Sequence, residues 1–164
     1  MIPSEPFHEY MRQFAHTIQE TEGRKKIADI GFQIPLDVFI REYYPFGVEY
    51  LESSDELGDG DCKKWVHDQV DLSYNRRWRG DRARILEGVN PDLKPTHELS
   101  EGNLVAYFDK LENVSYGHWG VCVIKEGSLL VESRWGGGGD LFRHPLETLP
   151  HKYGNFVEFL EVIK

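Results

Sequence analysis

Cys62 and His118 are the two side chains whose types and places in the chain suit nucleophilic chemistry. A helix is predicted over residues 62–70, and Asp61 can cap its first turn. A thiol at a helix N-terminus feels the positive end of the helix dipole, which favours the reactive thiolate. His118 is predicted to begin a strand, where its imidazole can face a helix packed across the sheet and act as a base toward the cysteine.

A third group is needed to orient the imidazole, and the segment after His118 offers one. The apolar runs at 119–124 and 129–133 predict the two strands of a hairpin with its turn at 125–128. If the numbers of residues paired across this hairpin sum to about 250, Glu132 lies opposite His118, where its carboxylate would accept the imidazole N–H and set the tautomer.

The register of this hairpin decides which side chain reaches the imidazole. If the register differs, Ser133 and His144 are the alternative orienting groups. Cys122 lies four residues after His118, on the same face of the strand. Because valines flank it on both sides, Cys122 is predicted to be a core residue and not a nucleophile.

The chain order of these candidates resembles that of the NlpC-type and CHAP-type papain-like cysteine amidases. Three local segments carry the resemblance: GDCKKWV at 60–66, LSEGNLVAY at 99–107 and HWGVCV at 118–123. The resemblance covers residues 58–163, and the tail from 135 to 154 is similar to a remote branch with the same layout.

The resemblance implies an α+β fold, in which N-terminal helices precede a papain-like core with a helix-borne cysteine packed on an antiparallel sheet. It also implies a cysteine peptidase or amidase that cleaves an amide bond in a peptide or other amide-containing substrate. Cys62 would be the nucleophile, His118 the base and Glu132 the orienting residue, and no cofactor is expected. A catalytically inactive binding module of the same fold, serving as an immunity, adaptor or regulatory protein, is the alternative.

The composition of the 164-residue chain narrows the classes of function. The formal net charge of −9 argues against general nucleic-acid binding and against binding to a membrane surface, which positive fields favour. An acidic surface instead suits a protein partner with a basic surface. The histidines and cysteines show no metal-ligand spacing, so no zinc site is expected. With no secretion-signal pattern and no long apolar run, we expect a cytoplasmic protein, with signal-independent export left open.

Residues 1–45 are predicted to be a helical extension within a single domain that spans residues 1–164. Helical spacing predicts a first helix that ends near Gly23 and a second helix over 36–44 that Pro45 stops. The apolar face of the first helix is formed by Phe7, Tyr10, Met11, Phe14 and Ile18. Because such a face must be covered, we expect the extension to pack on the core of residues 58–163, with a homodimer interface as the alternative.

Several polar segments surround the candidate site. The six acids of residues 49–61, together with Gly58 and Gly60, predict a loop, and Pro91 and Pro95 mark further loops. The five arginines of residues 74–84 are expected to pair with these acids or to face solvent, and would select a charged substrate if both segments rim the cleft. The glycine run at 136–139 lacks a phosphate-binding pattern and is expected to be a flexible rim beside the site.

Overall fold

The structure, a computed structural model, describes residues 13–27, 35–58, 60–72, 81–136 and 139–163. These residues form an α+β fold with an antiparallel sheet and a few short helices. The α+β class is therefore confirmed.

The described residues contribute eight strands to one sheet. In chain order the strands are β1 (His16–Thr17), β2 (Glu49–Glu52), β3 (Leu93–Thr96), β4 (Leu104–Phe108), β5 (His118–Lys125), β6 (Ser128–Arg134), β7 (Leu141–His144) and β8 (Phe156–Val162). Their spatial order is β1–β8–β4–β5–β6–β7–β2, and β3 also pairs with β8.

Short helices and turns connect and cover these strands. The α-helices are α1 (Glu22–Ile27), α2 (Leu36–Tyr43), α3 (Ser54–Leu57), α4 (Cys62–Gln69) and α5 (Asp81–Leu86). Two 3-10 turns lie at Tyr44–Phe46 and His151–Tyr153. The predictions of a helix beginning at Cys62 and of a helix that stops before Pro45 are confirmed.

Both faces of the sheet are buried, as the central strand β4 shows. All five residues of β4 are buried, and alternate residues of a strand point to opposite faces. Leu104 and Ala106 belong to one core, together with residues of α4 and α5. Val105 and Tyr107 belong to a second core on the other face. We call these the helix-side core and the tyrosine-side core.

The described part of residues 1–45 packs on the tyrosine-side core. β1 pairs with β8 through His16–Val157 and Thr17–Phe156. Ile18, Ile27 and Tyr43 are buried in the same core. Residues 1–12, which include three residues of the predicted apolar face, lie outside the described residues.

The predicted first helix ends earlier than expected, because residues 13–14 are helical but the helix does not continue to Gly23. Residues 16–17 form β1, and Gly23 lies inside α1 instead of ending a helix. A Cβ on Gly23 would lie 2.9 Å from the Cβ of Phe46. The glycine therefore allows close packing between two segments, a role that a local helix-stop signal does not distinguish.

Two segments predicted as loops form regular structure. Within residues 49–61, β2 pairs with β7, and Ser53 caps α3 by accepting a hydrogen bond from the Glu56 N–H at 3.3 Å. Pro95, expected to mark a loop, lies inside β3 and pairs with Leu160 of β8. A proline is tolerated in an edge strand, where its missing N–H breaks no ladder hydrogen bond.

Candidate active site

Helix α4 presents Cys62 at its first position, and the local sequence explains why. The side chain of Asp61 caps the helix by accepting a hydrogen bond from the Lys64 N–H at 2.8 Å. Val66 is fully buried in the helix-side core and fixes the helix against the sheet. The partly buried Cys62 thereby lies where the helix meets the end of the sheet.

His118 opens β5, but its ring does not lie on the face that α4 covers. The imidazole stacks on Tyr153 with 3.8 Å between ring centroids and 16° between ring planes. Trp119, the next residue, faces the helix, and its ring centroid lies 5.7 Å from that of His67. The expectation that His118 faces the helix across the sheet is therefore wrong.

Cys62 and His118 nevertheless line one cleft, at the N-terminal ends of α4 and β5. The cleft has a volume of about 440 Å³, within the usual range for small-molecule sites. Its walls also come from α5, from the loop before β5 and from the His151–Tyr153 turn. They include Asp81, Tyr116, Gly136, Lys152 and Tyr153.

Burial raises the pKa of the Cys62 thiol above its usual value. The backbone N–H groups of Trp119, Lys63 and Cys62 itself lower the pKa because they donate toward the sulfur, whereas the Asp61 carboxylate raises it. The expectation of a thiolate favoured by the helix dipole is therefore reversed, since the loss of solvation outweighs these donors.

The imidazole of His118 is fully buried, and burial holds its pKa well below its usual range. His144 and Lys152 lower this pKa further. Neither Nδ1 nor Nε2 has a hydrogen-bond partner among the described residues. A buried polar group without a partner is unusual in a protein, and its place in a cleft with Cys62 makes His118 a candidate functional residue.

Glu132 does not orient His118, because the hairpin register differs from the prediction. Glu126 and Gly127 both have positive φ and form a two-residue turn, so Lys125 pairs with Ser128 and Glu132 pairs with Val121. This odd shift in register moves the Glu132 side chain to the face opposite the His118 ring. Its carboxylate instead accepts a hydrogen bond from the Arg143 Nε at 3.0 Å.

Ser133 and His144, the alternative orienting groups, lie on the same face as the His118 ring but bond to each other. Ser133 Oγ lies 2.8 Å from His144 Nε2 and accepts a hydrogen bond from the Trp135 indole at 3.1 Å. His144 Nδ1 lies 2.8 Å from the carbonyl of Pro145, so Nδ1 carries the proton and Nε2 accepts the serine hydroxyl. Cys122 is fully buried in the tyrosine-side core, and burial raises its pKa to about 12.

Of the two described arginines in residues 74–84, Arg84 is exposed as expected and Arg82 departs from the prediction. Arg82 and Arg84 lie in the described residues, whereas Arg76, Arg77 and Arg79 lie outside them. The buried Arg82 forms an ion pair with Glu158 of β8, and among the acids of residues 49–61, Glu49 pairs with Arg143. The loop acids therefore do not neutralise Arg82.

Sequence reasoning did not identify two residues that shape the site, Arg134 and Tyr153. Arg134 donates hydrogen bonds to the carbonyls of Gly139 at 2.8 Å and Gly58 at 3.1 Å, which ties the glycine run to the segment before α4. Tyr153 approaches the cleft from a 3-10 turn far along the chain. The sequence signal for Arg134 is its place just before the glycine run, because the backbone carbonyls of such a loop need hydrogen-bond donors.

Comparisons with protein-family models, with curated proteins and with solved structures found no match to this chain. Among the helices that the structure describes, none is long and apolar enough to span a bilayer. Over those same ranges, no three His, Cys, Asp or Glu side chains are grouped to hold a metal ion. Function must therefore be inferred from the chemistry of the cleft.

Proposed function

We propose that the protein is a papain-like cysteine hydrolase that cleaves an amide bond in a peptide or other amide-containing substrate. One observation carries the proposal: Cys62, at the start of α4, and the unpaired imidazole of His118 line the same cleft. A thiol and an imidazole in one cleft supply the nucleophile and the base of covalent acyl transfer. The cysteine-then-histidine order within residues 58–163 supports an NlpC-type core.

In the proposed reaction, Cys62 Sγ attacks the substrate carbonyl carbon while the thiol proton passes to a nitrogen of His118. The carbon–nitrogen bond then breaks, His118 returns the proton to the leaving amine, and a thioester remains on Cys62. Water attacks the thioester with His118 as base, which releases the carboxylic acid and restores the thiol. Because burial raises the pKa of Cys62 and lowers that of His118, the pair starts as neutral thiol and neutral imidazole.

The negative oxygen of the tetrahedral intermediate needs hydrogen-bond donors close to the sulfur. The backbone N–H groups of Cys62, Lys63 and Trp119 already donate toward Sγ, so we assign this role to them. The side chain of Lys63 pairs with the Asp81 carboxylate on the cleft wall. The Asp81 carboxylate thus compensates the lysine charge.

Acyl transfer from p-nitrophenyl acetate to the full-length protein at pH 7 tests the proposal. We expect a burst of nitrophenolate and one acetyl group on Cys62, located by peptide mass spectrometry. His118→Ala should lower the acylation rate about 100-fold, in the range of general acid–base catalysis. Cys62→Ser should abolish the burst.

Two matched variants test whether the loss of acylation is specific to Cys62 and His118 and does not follow from removing another cysteine or histidine. Cys122→Ala should keep the burst, because Cys122 is fully buried and its pKa is about 12. His97→Ala should keep it as well, because His97 is exposed and stacks on Phe14 outside the cleft. A wild-type protein without acetylated Cys62, or an unchanged rate in His118→Ala, would contradict the proposal.

A binding module of the same fold is the second candidate, and one observation favours it. Both nitrogen atoms of His118 are shut off from solvent, so the cleft can hold a ligand without exposing a base. Such an immunity, adaptor or regulatory protein would use its acidic surface toward a basic partner. Failed acylation of the wild type, combined with unchanged cellular function in Cys62→Ala, supports this candidate.

A further inference from the structure

The ring of His118 is positioned by aromatic contact and not by a polar partner. Catalysis requires a fixed imidazole plane, which a carboxylate or amide hydrogen bond commonly provides. Here both ring nitrogens lack a hydrogen-bond partner among the described residues, and Glu132 lies on the other face of the sheet. Another group must therefore hold the ring.

Tyr153 makes the closest ring contact that His118 has in the described structure. The two rings are nearly parallel, with centroids 3.8 Å apart, whereas the Tyr107 ring lies 5.7 Å away and tilted by 40°. A parallel contact over the whole ring area restricts rotation of the imidazole, since turning it would drive its edge into the phenol. Tyr153 also lines the cleft with Cys62.

Tyr153 is itself held at both ends. Its hydroxyl oxygen accepts a hydrogen bond from the Gly136 N–H at 2.5 Å. Its backbone belongs to the 3-10 turn that ends at Gly154, whose carbonyl accepts a hydrogen bond from the buried guanidinium of Arg24. The phenol plane is therefore fixed by contacts that lie outside the candidate dyad.

We propose that Tyr153 is the positioning residue of His118. Aromatic stacking on Tyr153 fixes the plane of the imidazole, in place of a hydrogen bond to a carboxylate or amide. This inference rests on the proposed hydrolase function, because a fixed imidazole matters most for proton transfer to and from Cys62. It assigns the role predicted for Glu132 to a ring on the opposite side of the sheet.

The titratable and charged groups that face His118 come from several elements. They are Tyr107 of β4, His144 of β7, and Lys152 and Tyr153 of the 3-10 turn, and Cys62 lines the same cleft. Replacing Tyr153 by methionine removes the ring plane while it keeps an apolar side chain. Replacing it by phenylalanine keeps the ring and removes only the contact with Gly136.

The experiment combines NMR titration of the His118 ring with acylation by p-nitrophenyl acetate, on the full-length chain. In Tyr153→Met we expect the pKa of His118 to move toward its usual value as water reaches the ring, and the acylation rate to fall about tenfold. In Tyr153→Phe the rate should stay within about threefold of wild type. Tyr50→Met, at a half-buried ring against Phe142 outside the cleft, should change neither measurement.

The outcomes separate this inference from the proposed function. An unchanged His118 titration and an unchanged rate in Tyr153→Met would overturn the positioning role while His118→Ala still supports the hydrolase. An equal loss in Tyr153→Phe and Tyr153→Met would also overturn stacking as the cause. If Tyr153→Met does not fold, a loss of about tenfold or more in Tyr153→Phe alone overturns it. If neither Cys62→Ser nor His118→Ala alters acylation, the hydrolase fails, and the titration alone decides whether Tyr153 holds the ring.

Discussion

A fully buried ion pair between Arg82 and Glu158 holds the wall of the cleft in place. The Arg82 Nη2 lies 2.5 Å from Glu158 Oε1, and both side chains are fully buried. The guanidinium also donates to the carbonyls of Leu111 at 2.6 Å and Asn113 at 2.9 Å. Because the Tyr116 hydroxyl donates to Glu158, one pair of charges joins α5, β8 and the loop before β5.

Removing one partner of this pair should be costly. We expect Glu158→Gln to lower the free energy of unfolding by about 3–5 kcal/mol, because it leaves a buried guanidinium without its counter-charge. Urea denaturation monitored by circular dichroism measures the change. Glu161→Gln is the control, because Glu161 lies on β8 like Glu158 but forms an exposed pair with Lys94 of β3; it should change stability by less than about 1 kcal/mol. Equal effects of the two substitutions would contradict a buried, compensated pair.

The residues of the candidate site differ in how far the sequence could predict them. Cys62 at a capped helix start and His118 at a strand start follow from local signals, namely a capping aspartate and an apolar run. Glu132 was assigned from an assumed turn centre, and an odd shift in register reversed its face. Tyr153 could not be predicted, because its contact with His118 depends on the path of a turn that no periodic pattern describes.

At the scale of elements, the 3-10 turn that carries Tyr153 depends on the glycine that follows it. Gly154 has φ of +107°, a conformation that L-residues rarely adopt. A Cβ at this position would also lie 2.0 Å from the carbonyl oxygen of Phe108 in β4. The turn can therefore approach the sheet only with glycine at this place.

Gly154→Ala should destabilise the protein by about 3 kcal/mol or more, because backbone strain and a clash with β4 add together. It should also lower the rate of Cys62 acylation, since the turn that holds Tyr153 must shift. Gly102→Ala is the matched control: its φ is +88° but its Cβ position is open, so a cost of about 1–2 kcal/mol is expected. Thermal melting measures both, and a smaller cost for Gly154→Ala than for Gly102→Ala would contradict the close approach.

Strands β5 and β6 and helix α4 were predicted well, and elements stabilised by distant partners were not. These three elements have apolar patterns or caps within their own residues. β2 and β3 are edge segments with poor local signals, and pairing with β7 and β8 overrides the loop propensity of their acids and proline. Local propensity says little where a neighbouring strand supplies the hydrogen bonds.

At the scale of the whole molecule, buried histidines make stability depend on pH. Burial lowers the pKa of His67 and of His144 to about 4, from an ordinary value of 6.5. Between these values the unfolded chain binds more protons than the folded protein, so the free energy of unfolding falls as the pH drops through this window. Above pH 6.5 the histidines add no pH dependence.

We expect each of these two histidines to lower the free energy of unfolding by about 1.4 kcal/mol for every unit by which the pH falls between 6.5 and 4. Urea unfolding at several pH values measures the slope of the free energy of unfolding against pH. His144→Gln should reduce this slope by about 1.4 kcal/mol per pH unit, the contribution of one proton. A His144→Gln protein with the wild-type slope would show that His144 titrates normally in the folded state.

The N-terminal segment forms part of the core, so its removal tests whether the chain is one unit. Deleting residues 1–45 removes β1 and the buried Ile18, Ile27 and Tyr43. At about 1.5–3 kcal/mol for each large apolar side chain, the loss is comparable with the total stability of a domain. We expect no cooperative thermal transition in the shortened chain. Cooperative melting at the wild-type temperature would contradict this, and loss of dimerisation alone would favour the interface alternative.

The position of β8 has a consequence for how the chain is made. Strand β8, which follows the other seven described strands in the chain, lies between β1 and β4 and also pairs with β3. Sheets built from such long-range pairs fold slowly, in about milliseconds to seconds, because long loops must close first. On the ribosome, β4 has an unpaired edge until β8 emerges. The nascent chain is then a template for wrong strand pairing, and this is the stage at which a chaperone would protect it.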